Sequence, residues 1–192
     1  MIKLERKCCP NPIALQSDYK NPENKKALLE SSFVKCIYCE SKISHIDYGD
    51  VEHIKPKSKY PYLKFEWSNL GIACTKCNRK FKNDNYDENT PFINPFEEDP
   101  SLFIISAGAF LFQKQGNERG EITILGLGLN RAELIEKRQN RIDDLNKAID
   151  ACFRTKNPIL KELALKSLKM EIDEKEEYSF TVKALFKLHD LI

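Results

Sequence analysis

No stretch of the 192 residues comes near the roughly 20 consecutive apolar side chains of a membrane span. The opening run MIKLERKCCP also lacks the apolar segment of a secretory signal. The expected location is therefore the cytoplasm, with no membrane partner. A strong net charge is missing too: the formal value is +2, so overall charge does not announce a nucleic-acid binder. There is no internal repeat and no low-complexity segment. Hydrophobic residues at 41% and charged residues at 31% are ordinary globular values and exclude a wholly disordered chain. Histidine is scarce at three residues, and His45 and His189 have no supporting pattern around them.

Cysteine is present in a telling arrangement. In the cytoplasm thiols stay reduced, so paired Cys-x-x-Cys motifs read as metal sites before disulfides. Cys36-x-x-Cys39 and Cys74-x-x-Cys77 are two such pairs. Two intervening residues let both sulfurs of a turn face one ion, and two turns complete a tetrahedral Zn²⁺ site. A redox dithiol would need only one pair. Four protein sulfurs fill the coordination sphere, so this zinc is structural and clamps the loops around the residues between the pairs. Cys152 reads as core packing, and the adjacent Cys8 and Cys9 have no assigned role.

Along the chain, the first twenty residues look like an extended arm. Asn21-Pro22 starts a helix running to about Phe33. GDVEHIKP, from Gly49, reads as a short strand that ends at Pro56, WSNLGIA as a second strand, and Cys77 to Lys82 as a short helix. LFIIS, AFLFQ and EITIL read as further sheet between Gly-containing turns. Asn130 followed by Glu133 resembles a capping box. Leu134, Ile142, Leu145, Ile149 and Phe153 then recur at helical spacing. A next helix would turn Leu160, Leu163, Ala164 and Leu168 inward, and a last one carries Leu185, Leu188 and Leu191. The fold class is α+β.

Between the cysteine pairs lie Asp50, Glu52, His53 and Asn69, and directly after the second pair come Asn78, Arg79 and Lys80. Carboxylate and amide oxygens suit a hard cation such as Mg²⁺ or Mn²⁺, which Glu52 and Asn78 could supply, with Asp50 in reserve. A neutral imidazole at His53 could take a proton from water. Residues 53–82 carry eight Lys or Arg (Lys55, Lys57, Lys59, Lys64, Lys76, Arg79, Lys80, Lys82) against one acid, Glu66. Residues 130–192 are close to balance at thirteen basic and twelve acidic. A local basic stripe fits a phosphate-binding surface, and on charge alone it fits a solvated lysine-rich loop equally well. Strand alternation raises a difficulty, because the neighbours Glu52 and His53 should point to opposite faces.

Cys-x-x-Cys, then Asp-x-Glu-His-Ile-x-Pro, then Trp-x-Asn-Leu, then Cys-x-x-Cys-Asn with lysines following, resembles the zinc-braced HNH endonucleases over residues 33–82. The resemblance implies a ββα-metal core at a hairpin and helix, braced by the four-cysteine zinc site. On that carry-over His53 is the general base, and Glu52 and Asn78 bind the catalytic Mg²⁺ or Mn²⁺. Asn69 fixes the loop and the orientation of the histidine, while Lys55, Arg79 and Lys80 steer the nucleic-acid backbone. Asn78 stands where many members have His, and Glu52 where Asp or His is also common.

A second, weaker resemblance rests on Asn94, Pro95, Leu129, Asn130 and Arg131. Here the chain resembles the PtuB-like HNH nucleases of the Septu anti-phage system, which implies a PtuA-type ATPase partner and makes the C-terminal helices candidate docking surfaces. The expected layout is an N-terminal arm and helix (1–34), the zinc-braced nuclease core (35–90), a β-rich extension with a small hairpin (91–128) and a helical C-terminal part (129–192). DNA is the expected substrate. RNA cleavage, or nucleic-acid binding without cleavage, are the alternatives the residues leave open.

Overall fold

The computed structural model describes residues 1–45 and 48–192. It is α+β: six α-helices and two small antiparallel hairpins among the described residues. Helix α1 (Pro12–Leu15) is a single turn, and α2 (Pro22–Ser31) begins where expected. Asn21 caps α2 by accepting from the backbone N–H groups of Glu23 and Asn24, which satisfies two of the donors a helix start leaves orphaned. The arm before α1 is extended but not loose. Met1, Ile2 and Leu4 are buried. Arg6 donates to the carbonyls of Leu70 and Ser68 and lies 3.8 Å over the Phe96 ring.

Strands β1 (Asp50–His53) and β2 (Leu70–Ala73) pair with Asp50 opposite Ala73 and His53 opposite Leu70. Both are shorter than the sequence suggests, and Trp67–Asn69 is a 3₁₀ turn leading into β2. Gly71 faces Glu52 across the ladder. A Cβ there would come within 2.7 Å of Ile37 Cδ1, so the first cysteine loop approaches this strand closely and a side chain at position 71 would displace Ile37. That loop joins the strand edge directly, with Ile37 N–H donating to Ile72 O at 3.0 Å.

After β2 the chain enters a π-helix, Lys76–Lys82, rather than an α-helix. Asn83 N–H reaches back five residues to Asn78 O at 2.6 Å, the wide turn of π geometry, which is rare and concentrates at functional sites. Strands β3 (Ile104–Ala107) and β4 (Phe110–Gln113) form the second hairpin. The expected third strand, EITIL, is instead part of helix α3 (Glu118–Gly126). Asn117 caps it through Gly120 N–H, acids occupy its first turn, and Gly120, Thr123 and Ile124 are buried at helical spacing. Local capping overrides the β-branched composition here.

Helix α4 (Ala132–Arg154) follows, then α5 (Pro158–Met170) and α6 (Ser179–Leu188). Asn130 does not cap α4. Its side chain accepts from Leu111 N–H at 2.9 Å and donates to Leu111 O at 2.7 Å, clamping β4. One core gathers residues from Met1 through Leu134 together with Tyr178. A second, smaller cluster joins Leu145, Ile149 and Cys152 of α4 to Leu168, Val182 and Phe186. Leu160 and Leu163 do not turn inward: they are 57% and 58% exposed, and Phe153 and Leu188 are also exposed. No helix among the described residues is long and apolar enough to cross a membrane.

Candidate functional site

The sulfurs of Cys36, Cys39, Cys74 and Cys77 all lie within 4.8 Å of one another, and all four residues are buried. The Cys39–Cys74 separation is 3.9 Å, against roughly 3.8 Å for the edge of a tetrahedron with Zn–S near 2.3 Å. The donor set and its spacing fit a structural Zn²⁺. Arg131, at the start of α4, donates to Cys77 Sγ at 3.5 Å, a charge-assisted contact of the kind that supports metal-bound thiolates. Burial alone would lower the Arg131 pKa, but the cysteine sulfurs raise it overall. Gly128, at φ +57°, makes the turn that delivers Arg131, and a Cβ there would strike the Phe81 ring at 2.3 Å.

Between the cysteine loops, alternation in β1 sorts the chemistry onto two faces. Asp50 and Glu52 face the π-helix. Arg79 donates to both Asp50 oxygens, from Nε at 2.7 Å and Nη2 at 2.5 Å, and Asn78 Nδ2 donates to Asp50 Oδ2 at 3.3 Å. Glu52 is 1% exposed and meets a different set of partners. Lys82 Nζ lies 2.6 Å from Glu52 Oε1, and Tyr38 Oη donates to the same oxygen at 3.1 Å. Lys82, also 1% exposed, donates in addition to the backbone carbonyl of His53 at 2.8 Å. Burial raises the Glu52 pKa and Lys82 opposes that shift. Asp50 therefore comes to Asn78, while Glu52 is neutralised by an internal lysine. Among the described residues, His53 and the two carboxylates do not converge into a metal-sized cluster.

His53 sits on the other face, buried, with Nε2 3.0 Å from the carbonyl oxygen of Lys64. A carbonyl only accepts, so Nε2 carries the proton and the lone pair is on Nδ1. Burial lowers the His53 pKa below 6.5, the Lys64 contact works against that, and nearby lysines add to it. The neutral imidazole is thus the dominant form at pH 7. The edge of Tyr19, from the N-terminal arm, packs on the ring at 4.7 Å between centroids.

Asn69 holds the loop that carries the Lys64 carbonyl. Its side chain accepts from Lys55 N–H at 2.8 Å and donates to Lys55 O at 3.0 Å and Leu63 O at 3.2 Å. Among the described residues these partners are all backbone groups of the loop. Lys55 is half-buried at the loop's start, and Arg79 and Lys80 are exposed on the π-helix. Lys76 pairs with Glu133. Sequence reasoning counted Lys82 in the basic stripe and missed that it is internal. Tyr38, Tyr19 and the Lys64 carbonyl were also missed. A four-residue offset between Asn78 and Lys82 was visible, but its meaning depends on the π turn.

This strand, loop, strand and helix match the HNH endonuclease family over residues 36–84. Over 92% of its length the chain is 32% identical to the Septu protein PtuB of Bacillus thuringiensis, covering 73% of that protein. The chain belongs to the Septu PtuB family. Septu protein PtuB of Bacillus mycoides (strain KBAB4) is 30% identical over 91% of this chain and 68% of its own length. The match to both PtuB proteins runs well beyond the HNH segment. Of the residues that carried the weaker resemblance, Arg131 and Asn130 support the cysteine cluster and the second hairpin. Asn94 makes a turn through Phe96 N–H, and Pro95 O accepts from Leu4 N–H. The side chain of His45 lies outside the described residues, and His189 contacts Asn146.

Proposed function

We propose that this PtuB-family chain is a metal-dependent endonuclease that hydrolyses DNA as an anti-phage effector, acting with an ATPase partner of the PtuA type. The observation that carries the reading is the His53–Lys64 contact, because it leaves a neutral, oriented imidazole with its lone pair on Nδ1. That atom takes the proton of the attacking water, and the Lys64 carbonyl steadies the imidazolium that forms. Asn69 is a positioning residue that keeps the loop, and so the carbonyl, in place. Asp50 and Asn78 would hold a Mg²⁺ or Mn²⁺ ion, since carboxylate and amide oxygens suit a hard cation. This requires Asn78 to turn its amide oxygen, rather than the Nδ2 that now donates to Asp50, toward the ion, and Arg79 to exchange Asp50 for a phosphate. When bound there, such an ion would supply charge stabilisation at the departing 3′ oxygen. Glu52 contributes by fixing the strand end through Lys82. Lys55, Arg79 and Lys80 hold phosphate oxygens without reading sequence. Zinc at the four cysteines keeps both turns in register.

The test is plasmid cleavage with Mg²⁺ or Mn²⁺, by the chain alone and with its ATPase partner. His53→Ala should reduce the rate by roughly 10²–10⁴-fold. The wild-type rate should rise with pH through a midpoint below 6.5 and level off above it, because the base works deprotonated and its pKa is lowered. Equal cleavage by wild type and variant would remove His53 from the mechanism. Cleavage of RNA but not DNA would keep the site and change the substrate.

A further inference from the structure

The loop between β1 and β2 and the facing N-terminal residues interleave lysines with aromatic rings beside His53. Lys57 Nζ donates to the Tyr19 hydroxyl at 2.6 Å and lies 4.7 Å from the centre of that ring. Lys55 stands 5.5 Å over Tyr60, and Lys64 4.8 Å over Phe65. Lys59 donates to the backbone carbonyl of Tyr86. Tyr60 takes Tyr62 and Tyr86 edge-on, at 6.2 and 5.6 Å between centroids. Tyr62 is 72% exposed.

A tyrosine that open adds little to the core, and edge-on neighbours leave ring faces for another π-system. Duplex DNA keeps its bases stacked inside and would offer this surface only phosphates. Unpaired nucleotides offer phosphates to the lysines and bases to the rings, the combination that single-strand binders use. The platform flanks the proposed base, since Tyr19 touches both His53 and Lys57.

We propose that the loop at residues 54–66, with Tyr19, is a stacking platform that selects single-stranded or locally unpaired nucleic acid and lays it across His53. This deepens the nuclease reading and rests on it. It specifies the strand state of the substrate, whatever the sugar.

The test measures binding by fluorescence anisotropy without added divalent ions, so that nothing is cut. The probes are a labelled oligothymidylate of about 20 nucleotides, spanning more than one site of this kind, and a duplex of equal length. The wild type should bind the single strand more tightly. Tyr62→Ala should weaken single-strand binding by roughly tenfold and leave duplex binding unchanged. Tyr62→Phe, which keeps the ring, should restore it. Lys57→Gln with Lys59→Gln should weaken both probes and flatten the salt dependence. Duplex binding as tight as single-strand binding, with Tyr62→Ala silent, overturns the platform and leaves the nuclease reading standing. Binding of neither probe also overturns the platform, and the plasmid assay with metal and the ATPase partner then decides the nuclease reading by itself.

Discussion

Residues 36–84 and helix α5 solve opposite problems. The first segment buries Glu52, Lys82, His53 and Asn69, four polar side chains, and gives each a named partner. The second carries Leu160 and Leu163 at helical spacing and leaves both open, with only Leu168 of α5 buried. Hydrophobic periodicity is thus a poor guide in both, for different reasons. In the HNH segment, position is set by the cysteine turns and buried polar contacts, where an unpaired group is costly. In α5 the apolar stripe exceeds what the described residues cover.

The largest expected effect breaks the first segment and spares the cluster of α4, α5 and α6. Structural zinc contributes about 10–16 kcal/mol in small zinc-dependent folds, so Cys77→Ser, or removal of zinc with a strong chelator, should unfold residues 36–84. Trp67, the sole tryptophan, reports it, because its indole donates to Lys7 O and its fluorescence will change as that contact is lost. The cluster of α4, α5 and α6 contains no zinc ligand, so amide-exchange protection around Ile149 and Phe186 should survive. Unchanged Trp67 emission after zinc removal would show that the brace does not hold the fold.

A smaller effect sharpens the comparison inside the HNH segment. Glu52→Gln or Lys82→Met alone should cost about 3–5 kcal/mol, since each strands a buried charge. The double variant should be more stable than either single one, because it strands none. Thermal or urea unfolding of the four proteins measures the coupling, and additive costs would mean that the pair is not formed. A further variant, Asp50→Asn, separates the carboxylates: it should abolish Mn²⁺ binding in a calorimetric titration, whereas Glu52→Gln should leave it near the wild-type affinity.

How much of this was legible follows from how local each signal is. The Cys-x-x-Cys turns carry their geometry in four residues, so the brace was readable. So were α2, with its Asn-Pro start, and both strands of the first hairpin, though not their ends. The alternation of Glu52 and His53 was readable as a difficulty, and the structure keeps them on opposite faces. The Glu52–Lys82 pair was not readable. It depends on a π turn that moves Lys82 under the strand, and nothing in those seven residues announces five-residue hydrogen bonding. Asn130 misled because a cap and a strand clamp use the same side-chain chemistry. EITIL misled because its cap, Asn117, lies outside the β-branched run. Leu160 and Leu163 misled because spacing says which residues share a face, not what covers that face.

The smallest expected effect concerns that last point. Leu163 and Leu168 lie five positions apart on one helix and have similar side-chain volume and helix propensity. Leu168 packs into the second cluster, so Leu168→Ala should cost about 2–5 kcal/mol through lost burial and the cavity left behind. Leu163 has already kept more than half its surface in water, so Leu163→Lys should change unfolding free energy by no more than about 0.5 kcal/mol. The test is urea denaturation of both variants at equal protein concentration. A cost above about 1 kcal/mol for Leu163→Lys would mean that the stripe is covered in solution. That cost should then grow with protein concentration if a second copy does the covering. A silent Leu163→Lys would instead show that this face adds nothing to the stability of the chain, and that the fold is held by the braced segment and the α4–α6 cluster without it.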